Sequence, residues 1–285
     1  MGETLVTPVN DVWVLAESGP MRLLVAAWDG DKPLHELAHK GGERACGLLA
    51  ELAPFQSIIS KKASATNSCT NLPKVVKEMI AAVQNVGDVD LTPLAAVAGT
   101  ISDLVAQHVF SHGATRVIVD NGGDIAVRMT PDAEVKVGIR LDVESHDISH
   151  GLRIAGGMGV GGVTTSGLGG RSFTKGVAQS AVVLGPTASI ADAASTSVAN
   201  ATLIDSPNVR RIKAEDLYPD TDLRGEEVTL EVGDLTPGEI DLALSRGMER
   251  VQYLMNKEVI SGALICVKGK VVWSHALENL LFPVA

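Results

Sequence analysis

Nine of the residues between positions 151 and 170 are glycine. A stretch so poor in side chains loses too much backbone entropy to stand as a helix. It reads instead as strand, loop and strand, with backbone brought close to a ligand or to other backbone. The same economy runs through the chain, which holds 29 glycines in 285 residues and only 3% aromatics. Its core must therefore be filled by Val, Ala, Leu and Ile.

Around that stretch the pattern alternates between clusters of strands and clusters of helices. Apolar runs at residues 12–16 and 21–28 flank Glu17-Ser18-Gly19-Pro20, turn chemistry for an opening hairpin. Helical spacing follows over residues 33–53, with a soft middle at Gly41-Gly42, then over 75–86 and 91–110, the last begun by Thr92-Pro93. Three β-branched runs, 116–120, 125–129 and 135–141, are separated by Gly-rich or Pro-containing turns. A strand at 181–184 and a small-residue helix at 188–201 come next. A further strand at 228–232, a helix at 237–256 and a hairpin of 264–267 with 271–273 close the chain. Clustering of this kind predicts an α+β fold, a layered antiparallel or mixed sheet packed by helices, over residues 1–285 as one domain.

Charge narrows the partners. Twenty-four Lys and Arg against 34 Asp and Glu leave a net charge of −10, which repels phosphate backbones and argues against nucleic acid. Cys46, Cys69 and Cys266 are odd in number and widely spaced, as expected of reduced, buried thiols. No uninterrupted apolar run of about 18 residues predicts a membrane helix. With no secretory leader, the expected location is the cytoplasm. Ala-rich helices are compatible with a homo-oligomer.

Several constellations could carry chemistry. His35-Glu36-Leu37-Ala38-His39 has the HExxH spacing of a helical zinc site with a Glu base, the reading of a zinc hydrolase. Lys40 and Pro33 are poor company for it, no third ligand presents itself, and two surface histidines is the plainer reading. His146 and His150 repeat the spacing in a polar stretch that reads as a solvated loop. Gly157-Met158-Gly159-Val160-Gly161-Gly162 satisfies GxGxxG, but strand-like residues follow where a dinucleotide site needs a helix. Asn121-Gly122-Gly123-Asp124 joins two strands and holds a carboxylate at the tip, either as a ligand-facing turn or as a plain hairpin. Asp192 and Thr196 stand four residues apart on one helix face, two hard oxygen donors suited to Mg2+ or, more plainly, an N-terminal Asp and an internal Thr.

Taken in order, these segments resemble the ApbE-like superfamily, which includes FAD-dependent protein FMN transferases. Ala95-Ala96-Val97-Ala98-Gly99 with Asp103 looks like its Gly- and Asp-bearing helix, and Val119 to Ile125 looks like its strand ending in NxGGDI. Val137-Gly138-Ile139 is similar to its VGI strand, Thr165-Ser166-Gly167 to its TSG turn, and Ile190-Ala191-Asp192 through Thr196 to its ADxxxT metal helix. The motifs cover residues 94–201. The resemblance implies Asp192 and Thr196 as Mg2+ ligands, joined by a main-chain carbonyl near Val97. It implies a pocket for FAD or a related adenine nucleotide lined by Gly99, Asp103, Asn121, Gly122, Gly123, Asp124, Thr165, Ser166 and Gly167. The implied activity is transfer of FMN from FAD to a protein acceptor.

This chain departs from the transferase pattern in one segment. Between the TSG turn and the metal helix, transferases carry a His-containing stretch leading into Asp-Pro-x-Thr-Gly, whereas residues 168–189 here contain neither. Ala98 also stands where the family has Lys. The shorter link resembles an uncharacterised cytoplasmic branch. A non-catalytic flavin or nucleotide carrier, or an assembly factor on the same fold, is therefore the alternative expectation.

Overall fold

A computed structural model describes residues 4–63, 71–142, 148 and 150–284, so Cys69 and His146 lie outside the described residues. The chain opens with strands β1 (Thr4–Pro8), β2 (Val14–Ser18), β3 (Met21–Asp29) and β4 (Lys32–Pro33). Helices α1 (His35–Leu52), α2 (Gln56–Ile59), α3 (Lys74–Val86) and α4 (Val97–Ser111) follow. Next come β5 (Arg116–Asp120), β6 (Ile125–Met129), β7 (Glu134–Ile139), β8 (His150–Ala155), β9 (Gly162–Ser166) and β10 (Ser180–Gly185). After α5 (Ala188–Ala201), β11 (Val209–Lys213) and α6 (Ala214–Leu217) lead through β12 (Glu227–Val232) into α7 (Pro237–Asn256). Strands β13 (Gly262–Val267), β14 (Lys270–Trp273) and β15 (Leu281–Pro283) complete the described elements.

The main sheet runs β1-β2-β3-β5-β6-β9-β10-β13-β14, with β4 beside β3. Its pairings are antiparallel, from Thr4↔Ser18 at one end to Leu264↔Trp273 at the other. Side-chain alternation then assigns each strand two duties. On β10, Ala181 and Val183 join the cluster beneath α5 and α7, while Val182 and Leu184 face the other way. The opposite face is covered by a small sheet, β15-β8-β7, through Val135, Val137, Leu152 and Ile154. Helices α1, α3 and α4 cover the other half of the first face through Leu48, Met79 and Val105. The result is three layers: helices, large sheet, small sheet.

The expected α+β fold and antiparallel sheet are therefore found. One local expectation changes. Helix α1 runs unbroken through Gly41 and Gly42, because both are buried where other residues would collide. A Cβ on Gly41 would meet Val109 at 2.8 Å, and one on Gly42 would meet Val6 at 2.8 Å. The glycine pair brings the helix close to the sheet and α4 instead of softening it. The apolar stretch Pro93–Ser111, long enough by length and composition to cross a membrane, is 56% buried inside the protein.

Candidate functional site

A cleft of about 1000 Å³ crosses the end of the large sheet, between the β5–β6 turn and β9. Strands β6 and β9 share only the pairs Ile125↔Val163 and Ala126↔Gly162, so their far ends diverge. Through that opening both layers contribute walls. Val97, Ala98, Asp192 and Thr196 come from the helices, and residues 136–140 come from the small sheet and the residue after it. Asn121, Gly122, Gly123, Asp124, Thr165, Ser166 and Gly167 line it between them.

Helix α5 sets the buried carboxylate in place. Thr187 caps it, accepting a hydrogen bond from the Ile190 amide at 3.2 Å. Asp192, one turn further on, is 8% exposed and accepts from the Gly99 amide at 2.8 Å. That amide lies in the first turn of α4, where unpaired N–H groups favour an anion. Even so, burial and the neighbouring Asp124 charge raise the Asp192 carboxyl well above the usual range, against the lowering effect of the Gly99 and Ala98 amides. Thr196 follows on the same face and also borders the cleft.

Asp124 closes the group from the strand side. Its Oδ1 is buried and without a hydrogen-bond partner. Burial lifts its carboxyl to about 7, Arg171 and the Thr165 amide pull it down, and Asp120 pushes it further up. Two repelling carboxylates, one on a buried residue and the other with a buried, orphaned oxygen, beside a hydroxyl are an arrangement that a divalent cation would relieve. Hard oxygen donors of this kind suit Mg2+, so the residues present fit that ion.

Gly99 and Asp103 stand behind the cleft wall. A Cβ on Gly99 would lie 2.2 Å from the Ala188 carbonyl oxygen, so its absence is what lets α4 and α5 touch. Asp103 accepts from the Ala188 and Ser189 amides at 3.0 and 2.8 Å and pairs with Arg128 at 2.9 Å. Asp103 from α4 thus caps α5, while Asp192 from α5 caps α4. Asn121, 3% exposed, reaches back to the Ala98 carbonyl at 3.4 Å.

Arg171, which motif reading did not single out, ties the turn down. It donates to the Asn121 carbonyl at 2.6 Å and to the Pro20 carbonyl at 3.3 Å. Its guanidinium fills the space beside Gly122, whose φ of 72° and lack of Cβ make room for it. A glycine with an arginine 49 residues later is no recognisable pattern, so only the folded chain reveals the pair.

The remaining sequence candidates fall elsewhere. His35 begins α1, and His39 faces Glu43 at 3.7 Å. No group of three or more His, Cys, Asp or Glu side chains poised for a metal occurs among the described residues, which leaves HExxH without a third ligand. The GxGxxG glycines run through the β8–β9 turn into a strand rather than a helix, and the N-terminus of α5 packed against Gly162 already gives its Ala188 and Ser189 amides to Asp103.

The family model described as AbpE bacteria matches residues 9–273. A UPF0280 protein of Methanococcoides burtonii is 38% identical over 141 residues, 49% of this chain and 57% of that protein. Another, from Methanococcus maripaludis strain C7, is 37% identical over 153 residues, 52% of this chain and 60% of the relative. Both matches span less than two thirds of the relative's length. Among solved structures, the apo flavinyl transferase ApbE of Pseudomonas stutzeri aligns with a TM-score of 0.54 and 13% identity over 99% of each chain. The flavin transferase ApbE of Vibrio cholerae aligns at 0.50 and 13%, over 98% of this chain and 100% of that one. At such identities the likeness is one of fold.

Proposed function

Because the chain belongs to the AbpE bacterial family and has the fold of ApbE flavin transferases, we propose that it binds FAD or a related adenine nucleotide with Mg2+ and transfers FMN to a hydroxyl of a protein acceptor. The observation that carries this reading is the meeting of Asp192, the orphaned Oδ1 of Asp124 and Thr196 in one cleft. The cleft is of the size that ligands of this class need.

Asp192, Asp124 and Thr196 would hold the ion, with a main-chain carbonyl near Val97. Bound there, Mg2+ would supply positive charge against the negative charge that develops when a pyrophosphate is cleaved. The side chains around it bind and orient. Arg171 ties the Asn121 carbonyl of the 121–123 turn to the Pro20 carbonyl between β2 and β3 and offers the cleft a cation. Thr165, Ser166 and Gly167 border the cleft beyond Asp124.

A second reading, binding without transfer, is favoured by the link between β9 and β10. Residues 167–179 contain no His and no carboxylate that could take a proton. One experiment separates the two. Purified chain and Asp192→Ala are titrated with FAD, with and without Mg2+, following flavin fluorescence and thermal shift. AMP release is then measured in the presence of a cell extract as acceptor source. Mg2+-dependent binding lost in the variant, with AMP formed, supports the transferase. Binding without AMP supports the carrier, and no binding under either condition removes both.

A further inference from the structure

Strand β7 is an edge. The small sheet ends with it, and β8 is its one strand partner among the described residues. Five consecutive residues, from Lys136 through Arg140, line the cleft. A strand that presented one face would contribute every second residue. An unbroken run means that the cleft sees the strand edge-on, on the side where no described strand pairs with its outward N–H and C=O groups.

The charge along this edge is selective. Lys136 and Arg140 are exposed, and their side chains have no ion pair or hydrogen bond among the described residues. Nearby cations are engaged, Arg153 with Glu134 at 3.5 Å and Arg22 with Glu17 at 3.4 Å. Two unpaired cations thus stand four residues apart along this edge of a chain with net charge −10. Positive charge on an edge also discourages self-association, but a purely protective edge has no reason to border the ligand cleft.

We propose that the free edge of β7 receives an extended acidic segment of the protein acceptor as an added strand. Its backbone pairs with residues 135–139, its carboxylates meet Lys136 and Arg140, and a hydroxyl between them is delivered into the cleft. Strand addition of this kind takes affinity from main-chain hydrogen bonds and selectivity from alternate side chains. The identity of the partner rests on the transferase reading. The docking itself is measured without flavin, so the two fail separately.

The test uses the full chain and a fluorescein-labelled octapeptide of alternating Asp and Thr. Its counterpart carries N-methyl groups on every second amide, which keeps the charge and abolishes strand pairing. Fluorescence anisotropy is expected to show binding of the first peptide and at least tenfold weaker binding of the second. Slowed amide exchange is expected at residues 135–139. Lys136→Glu with Arg140→Glu should weaken binding at least tenfold, whereas Arg153→Glu should stay within twofold. Binding should persist in Asp192→Ala and without FAD or Mg2+. Absence of binding up to millimolar peptide, or equal binding of the N-methylated peptide, overturns the proposal.

Discussion

Two aspartates, Asp103 on α4 and Asp192 on α5, do the same mechanical service with different consequences. Each accepts amides at the start of the other's helix, but Asp103 is neutralised by Arg128, whereas Asp192 faces another carboxylate. Removing Asp103 leaves a largely buried guanidinium without its partner and α5 without those hydrogen bonds. Asp103→Ala should therefore cost about 3 kcal/mol in urea unfolding. Asp192→Asn keeps the helix contact and removes a repelling charge, so metal-free stability should stay within about 1 kcal/mol while the Mg2+-induced thermal shift disappears. Asp124 adds a pH signature. Its folded value of about 7 lies above the reference value of 3.8, so the folded chain binds more protons between those limits. Stability of the metal-free protein must then fall as pH rises through that window, by about 1 to 4 kcal/mol. Asp90 and Glu226, both held low by lysines, act below it with the opposite sign. Urea midpoints at pH 5 and pH 8 should differ in the native chain, and Asp124→Asn should reduce the difference while leaving the share that the raised Asp192 carboxyl contributes with the same sign. Asp124, Asp192 and Thr196 were legible as motif residues, but Arg171, Lys136 and Arg140 were not, because their meaning lies in what the fold sets beside them.

Elements whose ends carry their own chemistry were legible to the residue. Helix α7 begins at Pro237 behind Thr236, which forms a reciprocal capping box with Glu239, and α5 follows the Thr187 cap. Strands β5, β6 and β10 were legible from β-branched runs. By contrast β1, β11 and β15 went unread. Arg210 and Arg211 give β11 no apolar alternation, and β15 is three residues long with a partner, β8, well over a hundred positions away. The continuity of α1 through two glycines was equally hidden, since only the neighbouring Val6 and Val109 explain it. The close contact of α4 with α5 is also a place where a single methyl group should do harm. In Gly99→Ala the new Cβ would press on the Ala188 carbonyl, forcing apart the two helices that hold Asp192 in place. A loss of about 3 kcal/mol is expected, with Mg2+ binding weakened in step. Thr236→Ala, far from that contact, should cost about 1 kcal/mol and leave binding unchanged. Thermal denaturation with and without Mg2+ measures both.

At the scale of the whole molecule, the cleft depends on a layer that is not part of the main core. The helices and the large sheet share two apolar clusters, whereas β7 and β8 are held by a third, built around Leu152, Ile154, Leu184 and Leu264. Layers with separate clusters can open separately, each with its own free energy. Leu152 is fully buried in the third cluster, directly opposite Val137 on β7. Leu152→Ala should leave a cavity worth about 2 to 5 kcal/mol, and the loss should fall on the small sheet first. Hydrogen exchange is then expected to quicken in β7, β8 and β15 while β10 and α5 keep their protection. Because residues 136–140 form one wall of the cleft, nucleotide affinity should drop in the same variant even though Asp192 and Thr196 are undisturbed. Uniform loss of protection across β10, α5 and the small sheet would instead mean that the three layers open as one unit, and the cleft could not be loosened without unfolding the protein.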